Sequence, residues 1–303
     1  MRIAVFPGQG SQSPGFLTPW LDADGSADRL AQYSEWSGVD LVAAGTEWDA
    51  DRIRDTQVAQ PLIVAASLLS WNALPERERI AGVAGHSVGE FAAAAAAGVL
   101  SEQTALTLVG IRGRAMAEAA AAAETGMSAV IGGDEAAVIA RLDELGLAPA
   151  NYNGGGQLVV AGALDGLQAL AAEPVAGTRV IPLQVAGAFH TRYMAPAVET
   201  LRAAAAEVAA SDPGVLLWTN RNGSAVESGR DFVDLLVDQV ASPVRWDLCM
   251  SSFADAGVSG IVELSPAGTL VGLAKRALRG VPTVAVKTPA DLDAATALVA
   301  VDA

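Results

Sequence analysis

The stretch Gly85-His86-Ser87-Val88-Gly89-Glu90 limits what this chain can fold into more than any other. It follows the strand-like run Arg79 to Ala84 and opens an alanine-rich segment, Phe91 to Ala97, whose composition favours helix. A Gly-x-Ser-x-Gly between strand and helix is the nucleophile-elbow arrangement. So sharp a turn brings neighbouring backbones together, and Gly85 and Gly89 let them pass with no Cβ in the way. The turn also lifts Ser87 Oγ clear of the sheet, over helix amides that are unpaired and partly positive and can hold a developing oxyanion. The plainer reading is a tight turn with a passenger serine. Correct flanks on both sides favour the nucleophile.

A chain of 303 residues can hold one large domain or two smaller ones. Its longest apolar runs, Pro61 to Leu69 and Phe91 to Leu100, are too short to span a bilayer. Only Ile3 to Phe6 precede Pro7, too few for the core of a secretory signal. The single cysteine, Cys249, excludes an internal disulfide and fits a reducing cytoplasm, the location expected. A formal net charge of −15 argues against nucleic acid as a partner. Two histidines and one cysteine offer no ligand cluster, so no metal is expected.

Taken in order, Arg2 to Phe6 reads as a buried strand, followed by a turn in which two glycines flank Gln9. No Gly-Lys-Ser/Thr follows, so this is not a phosphate loop. Ser26 to Ser37 reads as helix, Gly45 to Asp55 as polar connection, and Thr56 to Trp71 as helix with Val58, Leu62, Ala65 and Leu69 on one face. Ser101 can cap a helix running toward Ala123. Gly110 and Gly113 flank Arg112 within it, and glycine inside a helix costs about 1 kcal/mol relative to alanine. Close helix packing and clearance beside a functional arginine remain equally open explanations. From Met127 to Leu183 the pattern becomes β-α-β-β-α-β, the ferredoxin-like order. Alternating strands and helices then resume at Val215 to Asn220, Phe232 to Val240, Val244 to Phe253, Ser259 to Leu264, Thr269 to Leu278 and Thr283 to Val286. This predicts a large α/β domain, residues 1–125 and 187–303, with a mostly parallel sheet covered on both faces. Residues 126–186 would form a small domain inserted into it.

A serine nucleophile needs a base, and only His86 and His190 are available. Successive side chains diverge in an elbow, so His86 is badly aimed at Ser87. His190 lies 103 positions further along, in Gly187-Ala188-Phe189-His190-Thr191, and is the better base if the fold brings it back. No acidic residue stands out as a third member, and a backbone carbonyl could orient the imidazole instead.

Together, Phe6-Pro7-Gly8-Gln9-Gly10-Ser11-Gln12, the elbow, Arg112-Gly113 followed by Met116, and Phe189-His190 resemble the malonyl-CoA:acyl carrier protein transacylases and the acyltransferase domains of polyketide synthases. The resemblance extends over Gln60-Pro61, Asn153 to Gly162 and Glu263 to Arg276, and so covers essentially the whole chain. It implies an α/β-hydrolase-like large domain with an inserted ferredoxin-like subdomain. It also implies that Ser87 attacks the malonyl thioester, with His190 removing its proton and protonating the departing CoA thiolate. The backbone N–H groups of Gln9 and Val88 would hold the oxyanion, Arg112 would pair with the free malonyl carboxylate, and Gln9 and Phe189 would line the acyl site. The acyl group would then pass to the phosphopantetheine thiol of acyl carrier protein, with no cofactor bound by the enzyme itself.

Val88 after the serine, and Gly187-Ala188-Phe189-His190, look like the malonyl type and not the methylmalonyl type. The family's Asn-Pro-Val-Gln is Ser242-Pro243-Val244-Arg245 here, a departure. Since that position is taken to support the histidine through its carbonyl, Arg245 would be a supporting residue, as would His86. Acyl carrier proteins are acidic, as this chain is, so docking would need a local basic patch. Lys275, Arg276 and Arg279, with Arg192 and Arg114, are the candidates; a solvated helix face is the plainer reading. The resemblance and the lack of a coiled coil point to a monomer. The competing classes are a discrete acyltransferase serving a polyketide synthase in trans, an acyl-thioester hydrolase using the same Ser87 and His190, and a non-catalytic scaffold.

Overall fold

Four consecutive apolar residues, Ile3 to Phe6, can be buried on both faces only inside a covered sheet. In the computed structural model, which describes residues 1–23 and 25–301, they are at most 1% exposed and lie mid-sheet. Ten strands occur among the described residues: β1 (Arg2–Phe6), β2 (Gly82–Gly85), β3 (Thr125–Gly132), β4 (Ala148–Gly154), β5 (Gln157–Ala163), β6 (Thr178–Pro182), β7 (Leu216–Trp218), β8 (Val244–Arg245), β9 (Gly260–Glu263) and β10 (Thr283–Ala285). One sheet has the order β10-β9-β1-β2-β7 and is parallel throughout. The other has the order β6-β3-β5-β4-β8. Its first four strands are antiparallel neighbours in the ferredoxin-like arrangement, with their own buried cluster around Val130, Leu142, Leu158 and Val160. The α/β architecture with a ferredoxin-like insertion is therefore as the sequence implies.

Three details differ. Val244 and Arg245 do not begin a helix; as β8 they add a parallel strand to β4, and the helix starts at Trp246. This stitches the later chain to the edge of the second sheet. Gly45 to Asp55 is not a plain connection: the helix Leu41–Thr46 runs into it and the helix Ala50–Arg54 lies within it, started by Asp40 and Asp49 accepting from the Ala43 and Arg52 amides. The feed into the elbow is also shorter than expected, because Arg77–Arg79 forms a 3-10 turn and β2 begins only at Gly82.

The helix Thr56–Ala73 is buried on all sides from Val58 to Ser70, which is why its apolar pattern is nearly continuous. It packs against the helix Glu102–Ala121, whose start is capped by Ser101 accepting from the Thr104 amide. Here the glycine question resolves toward packing. A Cβ on Gly110 would run into the Ser37 carbonyl, and one on Gly113 would lie 3.1 Å from the Thr56 carbonyl oxygen. No helix among the described residues is long and apolar enough to cross a membrane, and no group of side chains among them could hold a metal.

Candidate active site

The elbow is as tight as its glycines require. A Cβ on Gly85 would collide with the backbone of Gly89 and Glu90, and one on Gly89 with the Phe6 carbonyl. Between them Ser87 has φ 52°, in the left-handed region that costs an L-residue roughly 1–2 kcal/mol. Such a conformation persists only where its surroundings over-determine it. Here the Ser87 N–H donates to Asn220 Oδ1 at 2.7 Å, and the Ser87 carbonyl accepts from Gln239 Nε2 at 3.1 Å.

His190 arrives from the loop after β6 and also has positive φ, 61°. Its Nε2 lies 2.7 Å from Ser87 Oγ, and its Nδ1 lies 2.8 Å from the Gln239 carbonyl oxygen. A carbonyl can only accept, so Nδ1 carries the proton and Nε2 presents its lone pair to the serine hydroxyl. Burial, and then the Arg112 charge, hold the imidazole down to about 3, so it is neutral and ready to accept. The orienting group is a backbone carbonyl, as one sequence option had it, but it belongs to Gln239 and not to Arg245. Arg245 turns away, its guanidinium pairing with Asp247 and stacking 4.5 Å over Tyr152, because β8 points that side chain along the second sheet.

Arg112 is 1% exposed, and its guanidinium donates to Gln60 Oε1 at 2.6 Å and Gln239 Oε1 at 3.0 Å. Both partners are neutral amides. Its Nε has no hydrogen-bond partner, and no carboxylate among the described residues stands at ion-pair distance from it. Burial lowers its pKa to about 10, which still leaves it charged. A cavity of about 160 Å³ joins these groups, lined among others by Gln9, Gln60, His86, Ser87, Val88, Arg112, Phe189 and His190. The structure thus brings together Ser87, His190, Arg112, Gln9, Val88 and Phe189. Neither the Gln9 nor the Val88 amide donates to a protein acceptor among the described residues. His86 is in the same cavity wall, but its Nε2 meets Asn153 Oδ1 at 3.0 Å, bridging the elbow to β4, and it is His190 that meets Ser87 Oγ.

Four residues at the site escaped notice as functional. Glu90, 1% exposed, accepts the Asn220 N–H at 2.6 Å through Oε1 and Gln239 Nε2 through Oε2. Asn220 also donates to the Gly85 carbonyl at 2.7 Å. A glutamate in the first turn of an otherwise alanine-rich apolar helix was a readable signal for Glu90. Asn220, Gln60 and Gln239 carry no such mark, because only the fold turns their side chains inward.

The surface cations are scattered. Lys275, Arg276 and Arg279 are exposed at the end of the helix Thr269–Ala277, whose Thr269, Leu270 and Leu273 line the cavity. Arg276 donates to Gln157 Oε1 at 3.0 Å. Arg192 is exposed over Tyr193, and Arg114 is tied to the Ser37 carbonyl.

An elbow serine bonded to a neutral histidine, beside unpaired amides and a buried arginine, defines a serine-dependent acyl-transfer enzyme. Residues 4–294 match the acyl transferase domain family, and the chain belongs to it. It is 53% identical to the malonyl CoA-acyl carrier protein transacylase of Mycobacterium tuberculosis over 97% of this chain and 98% of that protein. The crystal structure of MCAT from Mycobacterium tuberculosis superposes with a TM-score of 0.94 at 51% identity, covering 98% of this chain and all of that one. A malonyl-transacylase solved in complex with a type II polyketide synthase acyl-carrier protein superposes at 0.92 with 29% identity, covering 98% of this chain and 99% of that one.

Proposed function

We propose that this acyltransferase moves the malonyl group of malonyl-CoA to the phosphopantetheine thiol of an acyl carrier protein, by way of a malonyl ester on Ser87. The observation that carries the reading is Arg112: a buried, charged guanidinium held by two neutral amides, with its charge left for an incoming carboxylate, in the same cavity as Ser87 and His190. In the first half-reaction Ser87 Oγ attacks the thioester carbonyl while its proton passes to His190 Nε2. The tetrahedral oxyanion is held by the Gln9 and Val88 amides. Collapse expels the CoA thiolate, which takes the proton from His190. In the second half-reaction His190 removes the proton of the carrier thiol, the thiolate attacks the malonyl ester, and Ser87 Oγ leaves as it takes that proton back from His190 Nε2. Each step conserves the proton on one imidazole. An acetyl group would leave Arg112 unpaired, which disfavours it.

The enzyme supplies this chemistry with its own side chains and backbone groups, and CoA and phosphopantetheine enter as parts of the substrates. We place it in the cytoplasm as a monomer that binds neither membrane nor nucleic acid, divided into residues 1–125 with 187–303 and an inserted unit 126–186. The carrier protein would meet the face bearing Lys275, Arg276 and Arg279, beside the cavity mouth. Fatty acid synthesis is the favoured destination of the malonyl group. A polyketide carrier is the second reading, favoured by the likeness to the transacylase solved with such a carrier. Incubating the enzyme with malonyl-CoA and phosphopantetheinylated carrier protein tests the proposal. It requires malonyl-carrier as the main product; free malonate with an unloaded carrier would make the protein a hydrolase.

A further inference from the structure

Glu90 does not line the cavity, yet it is wired to every reacting group in it. We propose that Glu90 is a positioning residue for acyl transfer, acting through the side chains of Gln239 and Asn220. The proposal rests on the reading of Ser87, His190 and Arg112 given above.

Gln239 carries most of the connection. Its side-chain oxygen accepts from Arg112, its side-chain nitrogen donates to Ser87 O and Glu90 Oε2, and its main-chain carbonyl faces His190 Nδ1. The sense of that amide is set from both ends. A guanidinium can only donate, and a carboxylate can only accept, so turning the amide over would oppose donors to donors at Arg112 and acceptor to acceptor at Glu90. One residue therefore registers the nucleophile, the base and the arginine against each other, and Glu90, with Arg112, fixes which way it points. The second oxygen of Glu90 takes the Asn220 N–H, which fixes the residue whose side chain holds Ser87 N–H and the Gly85 carbonyl. Both oxygens accept N–H groups, as a carboxylate can. Burial, opposed by the Asn220 N–H and the Arg112 charge, leaves the acid raised to about 8. Gln60 holds the other nitrogen of Arg112 but reaches neither Ser87 nor His190, so it cannot do the same work.

The test compares wild type with Glu90→Gln, Gln239→Met and the double variant, with Ser87→Ala alongside. Gln239→Met keeps the carbonyl that faces His190 and removes only the amide. The readouts are the single-turnover acylation rate per serine labelled, which misfolded protein does not affect, and the preference for malonyl-CoA over acetyl-CoA. Each single variant is expected to slow acylation about tenfold or more and to narrow the preference, and the double variant to be no worse than the worse single one. Wild-type rate and preference per labelled serine, with only a lower melting temperature, would overturn the proposal, as would losses that multiply in the double variant. If Glu90→Gln does not fold, Gln239→Met decides by the same two readouts. Acyl transfer persisting in Ser87→Ala would instead sink the reading on which the proposal rests.

Discussion

Ser87 Oγ and His190 Nε2 stand 2.7 Å apart although 103 residues separate them in sequence. Each sits at a positive φ, so both halves of the pair are held in backbone conformations that the surrounding hydrogen bonds must maintain. The contact joins the elbow after β2 to the loop that follows β6.

This burial has a consequence for stability. The unfolded chain binds a proton on His190 below its ordinary value of 6.5, whereas the folded protein does not until about 3, so stability is lost as pH falls through that window. The contribution reaches about 2 kcal/mol by pH 5. His86 is shifted in the same direction by burial, and buried Glu90 opposes both, since its raised value favours the fold at low pH. Comparing wild type with His190→Gln isolates the His190 share: on acidification from pH 7.5 to 5, the wild-type melting temperature should fall further than the variant's. Parallel curves would contradict a neutral buried imidazole.

Arg112→Ala should raise the KM for malonyl-CoA and cut the preference for malonyl over acetyl by about 10- to 100-fold, the worth of one or two charge-assisted hydrogen bonds. Arg112→Lys should recover only part, because an ammonium cannot present the planar fork that matches a carboxylate. Competition between the two thioesters measures this directly. An unchanged preference would mean that the guanidinium does not meet the acyl group.

Gly89→Ala should destabilise the protein by about 1–3 kcal/mol or more, since its methyl group would press on the Phe6 carbonyl with no side chain able to move aside. Thermal melting checks it. A variant as stable as wild type would show that β1 and the elbow can separate freely.

Reversing the charge at both Lys275 and Arg276 should raise the apparent KM for an acidic carrier protein several-fold and leave that for malonyl-CoA as it was. The difference should shrink as salt rises. Equal carrier kinetics in both proteins would place docking elsewhere.

The elbow was legible because two glycines, a serine, a strand and a helix must occur in fixed order, a constraint written locally. His190 was legible by scarcity, with one rival in the whole chain. Gln239 was not. It lies at the end of an ordinary amphipathic helix; its main-chain carbonyl, which faces His190, is something no residue type advertises, and only the fold turns its side-chain amide toward Arg112 and Glu90. Arg245 misled for the same reason, since a role carried by backbone does not follow the side chain at a motif position. β8 was hidden because two residues are too few for a period-2 pattern, and Gly45 to Asp55 because short capped helices have little periodicity to show.

The covalent intermediate is the most direct test of the whole account. Enzyme mixed with malonyl-CoA and quenched within one turnover should carry one malonyl group, which peptide mapping places on Ser87. That adduct should be absent from Ser87→Ala and should disappear from wild type when phosphopantetheinylated carrier protein is added, with the carrier gaining the same mass. A malonyl group on another residue, or an adduct that the carrier cannot discharge, would contradict it.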